Sequence, residues 1–387
     1  MNERSAGAWL VLADGTAFSG APFGATTTTE GEVVFNTSMS GYPELLTDPS
    51  YRCQLLTLTV PEVGNYGVCD RDFESAGIQA AGLIVRRRAA LVSNWRSDRD
   101  LSSWLLSANV PGIEGIDTRA LVRRLREGGT KTGLLSTDGT PLNELRRRAA
   151  NAPPMAGREL VSEVTCQAPY AFSEGLVDDA GLPLSAQPQK HHVVAFDFGM
   201  KKNMARMLVH RGCRVTVVPA STTAQQVRAL APDGVLLSNG PGDPSTLPHV
   251  VDVVRSLLGT VPVFGICMGH QILGQALGAS TFKTAYGHRG GNQPVSTDVV
   301  AGVASRVLIT SQNHGFCVQT SELSPLARAN ETNVSDGTNE GLDATSKWAF
   351  SVQYHPEAAP GPHDADIHFD RFLDMMTRFQ ARQRLEQ

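Results

Sequence analysis

The sequence predicts an α/β protein of two domains: a C-terminal, mostly parallel sheet with flanking helices, preceded by a β-rich α/β half. Three observations carry this. The chain has 387 residues, too many for one ordinary domain and comfortable for two. After about residue 190, short apolar runs alternate with helix-like segments, the signature of a parallel sheet covered on both faces. Before it, β-branched and apolar runs are punctuated by turn residues.

In the first half, Trp9–Leu12 is apolar and is followed by the turn pair Asp14-Gly15. Gly31–Asn36 and Gln54–Val60 read as strands, and Ile78–Val85 as a further one. Asp117–Leu125 has helical spacing at Leu121 and Leu125, with Asp117 at the N-cap. This half holds no catalytic constellation of its own. Gln167–Gln189 contains three prolines and no sustained periodicity, and is read as a linker closing a first domain of residues 1–189.

The second domain, 190–387, opens with the strand His192–Phe196 and a helix at Met204–His210 stopped by Gly212. Strand Val215–Val218, helix Ala224–Leu230, strand Gly234–Leu237, helix Val250–Leu258 and strand Val261–Phe264 follow. Trp348–Tyr354 reads as another strand, and Ile367–Phe379 as the final helix. Ligands of such sheets gather at the carboxyl ends of the strands, where two glycine-rich loops fall.

Composition narrows the function. Net charge is −4 with both signs mixed, which argues against nucleic acid or a membrane surface as the main partner. Arg86–Arg88 and Arg146–Arg148 read as solvated faces or partner contacts. Met1–Gly7 lacks the apolar core of a signal peptide, and no apolar run approaches a membrane span. The six cysteines are scattered, with no C-x-x-C pair and no zinc-like spacing. A reducing cytoplasm is therefore the expectation.

The first glycine-rich loop, Ser238-Asn239-Gly240-Pro241-Gly242-Asp243-Pro244, follows a strand and lets a ligand approach its backbone. A tight surface turn is its simpler reading. The second, Gly265-Ile266-Cys267-Met268-Gly269, joins a strand to the helix His270–Leu277. Small-x-nucleophile-x-small between strand and helix is the nucleophile-elbow pattern, with cysteine in place of serine. The turn lifts the thiol above the sheet edge at a helix N-terminus, whose dipole favours a thiolate. The Met268 N–H points where an oxyanion forms.

A thiolate nucleophile needs a histidine, and the histidine an orienting acceptor. His355-Pro356-Glu357 ends a strand, and residues i and i+2 of extended chain share a side. Glu357 then reaches the imidazole of His355 while His355 reaches Cys267. His270 reads as a helix residue packed near the site, and His314 has no carboxylate at matching spacing. The run His363-Asp364-Ala365-Asp366-Ile367-His368 reads as the opening of the last helix, and no metal site is expected.

GICMGHQ, NGPGDP and HPE, in this order, resemble the class I (triad-type) glutamine amidotransferases over about residues 190 to 387. The first half extends the likeness. GEVVFNTSMSGYPELLTDPSY, GNYG and GIDTRAL, together with GHRGGNQPV, QNHGF and HPEAAPGPHD, resemble the small subunit of carbamoyl-phosphate synthetase. The resemblance implies a swivelling β/β/α-like N-terminal domain and a glutaminase that passes ammonia through a tunnel to a large subunit. That partner would bind ATP, a divalent metal and bicarbonate and make carbamoyl phosphate for arginine and pyrimidine synthesis, with no cofactor in this chain. A dry tunnel keeps ammonia unprotonated, whereas in water at neutral pH it is mostly ammonium.

Carried over by position, Cys267 is the nucleophile, His355 the base and then acid, and Glu357 the orienter. Ser50, Gly240, Gly242, Met268, Gln271, Asn313, Gly315 and Phe316 would hold L-glutamine, Gly240 and Met268 supplying oxyanion-hole N–H groups. Ser50 also reads simply as a turn residue after Asp48-Pro49. Met268 stands where leucine is commoner, Gln293 where histidine is expected and Val60 where an aromatic is common; none belongs to the triad. Ammonia suppliers for GMP, anthranilate or CTP synthesis share the C-terminal motifs and lack this first half. A glutaminase-like regulator without activity usually loses the cysteine or histidine. A cysteine peptidase has no need of the loops that grip the amino acid.

Overall fold

The computed structural model describes residues 7–178, 180–298 and 306–386, so the Met1–Ala6 part of the polar N-terminal stretch lies outside it. The chain forms two compact units, divided at Arg158/Glu159.

In the first unit β1 (Ala8–Leu12), β2 (Ala17–Gly24), β3 (Thr28–Asn36), β4 (Gln54–Leu58), β5 (Gly82–Ile84), β6 (Pro111–Glu114) and β7 (Lys131–Ser136) close into a barrel in the order β1-β2-β6-β5-β4-β3-β7. Helices α1 (Tyr42–Thr47), α2 (Leu101–Ser107), α3 (Thr118–Gly128) and α4 (Leu142–Ala149) connect and cover it. Closure removes the unpaired edges that a sheet of this size would expose. Val34, Leu56 and Leu83 on adjacent parallel strands pack with Tyr51 and Trp104 in its main core. Asp117 caps α3 as expected, accepting from the Ala120 N–H at 3.0 Å. The Ile78–Val85 run yields only the three-residue β5.

The second unit is built on one sheet. Its strands are β8 (Tyr170–Phe172), β9 (His191–Asp197), β10 (Cys213–Pro219), β11 (Gly234–Leu237), β12 (Val263–Ile266), β13 (Ser280–Thr297), β14 (Arg306–Gln319), β15 (Arg328–Asn333), β16 (Asn339–Ala344) and β17 (Ala349–Val352). They run in the order β14-β13-β15-β16-β17-β12-β11-β9-β10-β8. The run from β10 to β17 through β9, β11 and β12 is parallel, and the strands beyond it pair antiparallel. β9 is buried on both faces: Val194 and Phe196 enter one core, Val193 and Ala195 the other. α6 (Ala224–Ala229), α7 (Pro248–Leu257) and α8 (Met268–Ala276) cover the first face. α5 (Lys202–His210) and α9 (Ile367–Glu386) cover the second.

Two differences from the sequence reading have physical causes. The expected strand Val261–Phe264 is displaced to Val263–Ile266, because Pro262 has no N–H to give to a ladder. The division of the units precedes the segment Gln167–Gln189, which contributes β8, antiparallel to β10 from Val215↔Phe172 to Val217↔Tyr170. Tyr170 and Phe172 are aromatic residues favoured in strands, enough for a short edge strand inside a proline-rich stretch. No helix among the described residues is long and apolar enough to cross a membrane.

Candidate active site

The parallel strands β9, β11, β12 and β17 all point their carboxyl ends at one place, and the loops leaving them build the site. Cys267 leaves β12 with φ 56 and ψ −104, a conformation few side-chain-bearing residues adopt. Its backbone N–H stays tied to the Val352 carbonyl at 3.0 Å. The flanking glycines are sterically required. A Cβ on Gly269 would lie 2.2 Å from the Leu237 carbonyl oxygen, and one on Gly265 2.6 Å from that of Gly269. The elbow expected from the sequence is therefore present, and Cys267 sits at the start of α8, 2% exposed.

β17 ends one residue before Gln353, and the His355 N–H is fixed to the Ser311 carbonyl at 2.8 Å. The His355 Nδ1–Glu357 Oε1 distance is 2.7 Å. With Nδ1 as donor to the carboxylate, Nε2 is the atom left for the sulfur. Nε2 makes no well-formed hydrogen bond among the described residues, yet the Cys267 sulfur lies close enough to help hold a proton on the ring. Burial would lower the imidazole pKa; the charges of Glu357 and Cys267 outweigh it and raise it to about 10. Burial would raise the Glu357 carboxyl, but Lys201 and then His355 hold it well below the usual carboxylate range.

Lys201 is the functional residue that the sequence reading missed. Its Nζ lies 3.1 Å from Glu357 Oε1 with both side chains almost fully buried, and it also donates to the Ala358 carbonyl. Its own N–H is held by Asn239 Oδ1 at 3.0 Å, so the loop after β11 positions it. Ala358 and Ala359 take φ of 52 and 55, and the lysine braces this turn as well as the carboxylate.

Among the residues expected to hold glutamine, Gly240 follows β11 with no room for a side chain: a Cβ would meet the Phe198 carbonyl oxygen at 2.2 Å. Gly242 has φ 90 and bridges to Glu159. The Met268 side chain is buried in the core, so any role at the site falls to its backbone. The first turn of a helix has no internal acceptor for such an N–H, while that of Gly269 is taken by the Ser238 carbonyl at 2.9 Å. Gln271 donates to the Phe316 carbonyl at 2.8 Å and to Gln353 Oε1 at 3.1 Å. Asn313, Gly315 and Phe316 lie on β14, and the Asn313 carbonyl oxygen is 3.7 Å from Cys267 Sγ. Ser50 belongs to the first unit, buried in the turn Pro49–Tyr51 with its N–H on Asp48 Oδ1 at 2.9 Å.

The other histidines take lesser parts. His270 is fully buried against Ser351 Oγ at 2.9 Å, and burial pushes its pKa down to about 3, so it stays neutral. His314 bonds Phe316 O and Gln312 Oε1 through its two nitrogens. The Asp366 N–H donates to the His363 carbonyl in the turn that opens α9.

Comparison with known proteins agrees with the motifs in both halves. Residues 10–135 match the carbamoyl-phosphate synthase small chain CPSase domain, and residues 194–375 match glutamine amidotransferase class-I. The carbamoyl phosphate synthase small chain of Syntrophotalea carbinolica is 50% identical, over 95% of this chain and 97% of its own. That of Escherichia coli K12 is 47% identical, over 96% and 98%. Among solved structures, a GMP synthase component from Thermoplasma acidophilum overlaps 51% of this chain and all of its own, at 19% identity and TM-score 0.44. Full-length relatives that share about half its residues, and a domain match in each half, place this chain in the carbamoyl phosphate synthase small-chain family, with a class I glutamine amidotransferase domain that makes it a glutamine-hydrolysing enzyme.

Proposed function

We propose that Cys267 attacks the side-chain amide of L-glutamine and that the ammonia released passes to a large, ATP-dependent synthetase subunit. The observation that carries this reading is the buried line Lys201–Glu357–His355 ending beside a cysteine held in a strained elbow. His355 accepts the thiol proton, and the sulfur forms a bond to the amide carbon. The negative charge on the amide oxygen is met by the backbone N–H groups of Gly240 and Met268. His355 then protonates the departing nitrogen, the carbon–nitrogen bond breaks, and ammonia leaves a thioester on Cys267. Water, deprotonated by His355, attacks that thioester; its carbon–sulfur bond breaks, and glutamate and the thiol are restored. Glu357 fixes the ring and Lys201 keeps Glu357 ionised.

Gln271, Asn313, Gly315, Phe316 and Gly242 hold the substrate in this scheme; Ser50 rests on the resemblance alone. The chain itself works without metal or cofactor, in the cytoplasm, as one partner of a heterodimer or a higher assembly. ATP and a divalent metal serve the large subunit, which makes carbamoyl phosphate for arginine and pyrimidine synthesis. The test uses the chain assembled with that subunit. Replacing Cys267 by Ser or Ala abolishes glutamine-dependent carbamoyl phosphate formation and leaves ammonia-dependent formation intact. Glutamine-driven synthesis that persisted in the variant would refute the assignment of the nucleophile.

A further inference from the structure

β13 and β14 pair antiparallel over most of their length, but the register breaks twice, between Lys283 and His288 and between Gly290 and Gln293. Between the breaks stand three pairs: His288↔His314, Arg289↔Asn313 and Gly290↔Gln312. The β14 side of this island leads straight into Gly315 and Phe316. A short ladder with irregularities on both sides constrains its partner strand weakly. Phe316 pairs with Lys283 beyond the first break, so the interruption falls at Gly315, where a side-chain tie from β13 adds to the backbone pairing.

His288 is placed to make that tie. It is 6% exposed, and its Nε2 lies 2.8 Å from Asp336 Oδ2, in the turn between β15 and β16. Its Nδ1 lies 3.4 Å from Oε1 of the fully buried Glu340 on β16. Its ring packs edge-on against His314 at 5.0 Å between centroids. The preceding residue, Gly287, has φ 69, and a Cβ there would lie 2.2 Å from the His314 carbonyl oxygen, so the two strands touch at their backbones. The hydrogen bond is the one to Asp336; Nδ1 makes no well-formed hydrogen bond among the described residues, and Glu340 stands beside it at ion-pair distance. Two carboxylates around one ring favour its cationic form.

We propose that His288 is a positioning residue for glutamine: its imidazolium ties β13 to Asp336 and Glu340 and so holds Asn313–Phe316 in the shape that receives the substrate. This rests on the functional reading above. The groups that face it are consistent with a cation. Glu340 and Asp336 supply negative charge, and Glu340 is itself held by Asn333 Nδ2 at 3.0 Å. His314 is pushed towards its neutral form by burial and then by the charge of His288. Arg289 beside it on β13, and His355 further off, add positive charge that His314 also feels. The net effect at His288 is a raised pKa: burial lowers it, and Glu340 and Asp336 more than compensate. One donor atom from each of His288, His314 and Glu340 fits within 4.8 Å, as in a metal site. Both His314 nitrogens already face oxygen partners, however, so His314 is engaged without an ion.

The sign follows from the raised pKa. The clamp is complete below the ordinary histidine range and is lost as pH rises through the raised pKa of folded His288. The experiment is steady-state glutamine hydrolysis by the chain assembled with its large subunit, from mildly acidic to mildly alkaline pH, for wild type, His288→Asn and Asp336→Asn. Losing a charge-assisted hydrogen bond is worth about tenfold in an equilibrium. Both variants should raise KM for glutamine by about that factor with kcat nearly unchanged. The wild-type KM should climb with pH, and that of His288→Asn should not. If His288→Asn does not fold, the half-exposed Asp336 carries the test through its own variant. An unchanged KM, a kcat that falls in step with stability, or stoichiometric zinc bound by wild type and lost in His288→Asn overturns the clamp. Wild-type turnover with any of those results leaves the functional reading standing; no wild-type turnover in the assembled complex removes both.

Discussion

A carboxylate without water around it keeps its charge only when a cation stands beside it. Glu357 has Lys201 at 3.1 Å on one side and the His355 ring at 2.7 Å on the other. The lysine reaches a residue 156 positions further on in the chain, which explains why the sequence did not reveal it. In Gly199-Met200-Lys201-Lys202-Asn203 one lysine looks like the other, and only the fold buries the first. His355 and Glu357 were legible because i, i+2 on extended chain is a local relation, and Cys267 because its glycines bracket it. Lys201→Met should cost about 3–5 kcal/mol of stability, the cost of leaving a buried charge alone, and lower kcat more than it raises KM. The pH profile separates this from plain destabilisation. Glu357 has a depressed pKa, so its contribution is present above the ordinary carboxylate range and lost as pH falls through the low folded value. Removing Lys201 raises that value, and the acid limb of kcat should move to higher pH. A limb that stays in place would show that Lys201 does not tune the carboxylate.

At the scale of elements, the nucleophile elbow shows how close approach dictates residue type. Gly269→Ala would set a methyl 2.2 Å from the Leu237 carbonyl oxygen, a contact with backbone rather than with the end of a flexible side chain. The variant should lose about 1–3 kcal/mol or more, as overpacked sites do, together with most of its glutaminase activity. Gly77→Ala, where a Cβ meets nothing within 4 Å, is the matched control and should be nearly silent in thermal melts. The elements that escaped the sequence reading share one trait. β13 alternates poorly: it runs through Gly287, Gly290 and Gly291 and changes register twice, so no period of two survives along it. β8 is three residues long, and β15 to β16 carries its own bulges. Legible strands such as β9 and β11 hold uninterrupted apolar runs, Val193–Phe196 and Val235–Leu237.

On the scale of the whole molecule, each unit has a core that propensity alone does not reveal. Barrel closure in the first unit depends on β3 meeting β7 and β1 meeting β7, pairings between segments more than 90 residues apart. In the second unit, α9 joins the C-terminal end of the chain to the centre of the sheet through Phe369 and Phe372, which pack on Phe264 at 5.8 and 5.6 Å. Phe264 lies on β12, three residues before the nucleophile. Phe372→Ala should therefore cost about 3–5 kcal/mol and lower the melting temperature of this unit. With the site so near that core, glutaminase activity should be lost at a lower temperature than in wild type, in step with unfolding measured by circular dichroism. Activity that failed well before the fold melted would instead point to a local effect on β12.

The interlocking of the strand-end loops bears on anyone who would rebuild this enzyme. Gly269 rests on Leu237 and its N–H on Ser238; Gly240 rests on Phe198; Asn239 holds the backbone of Lys201, whose side chain reaches Glu357. None of these loops can be exchanged for that of another amidotransferase without displacing the next. A graft would have to carry the ends of β9, β11, β12 and β17 together. By the same logic, a substitution in one of these loops calls for a matching change in its neighbour, and the catalytic face behaves as a single piece.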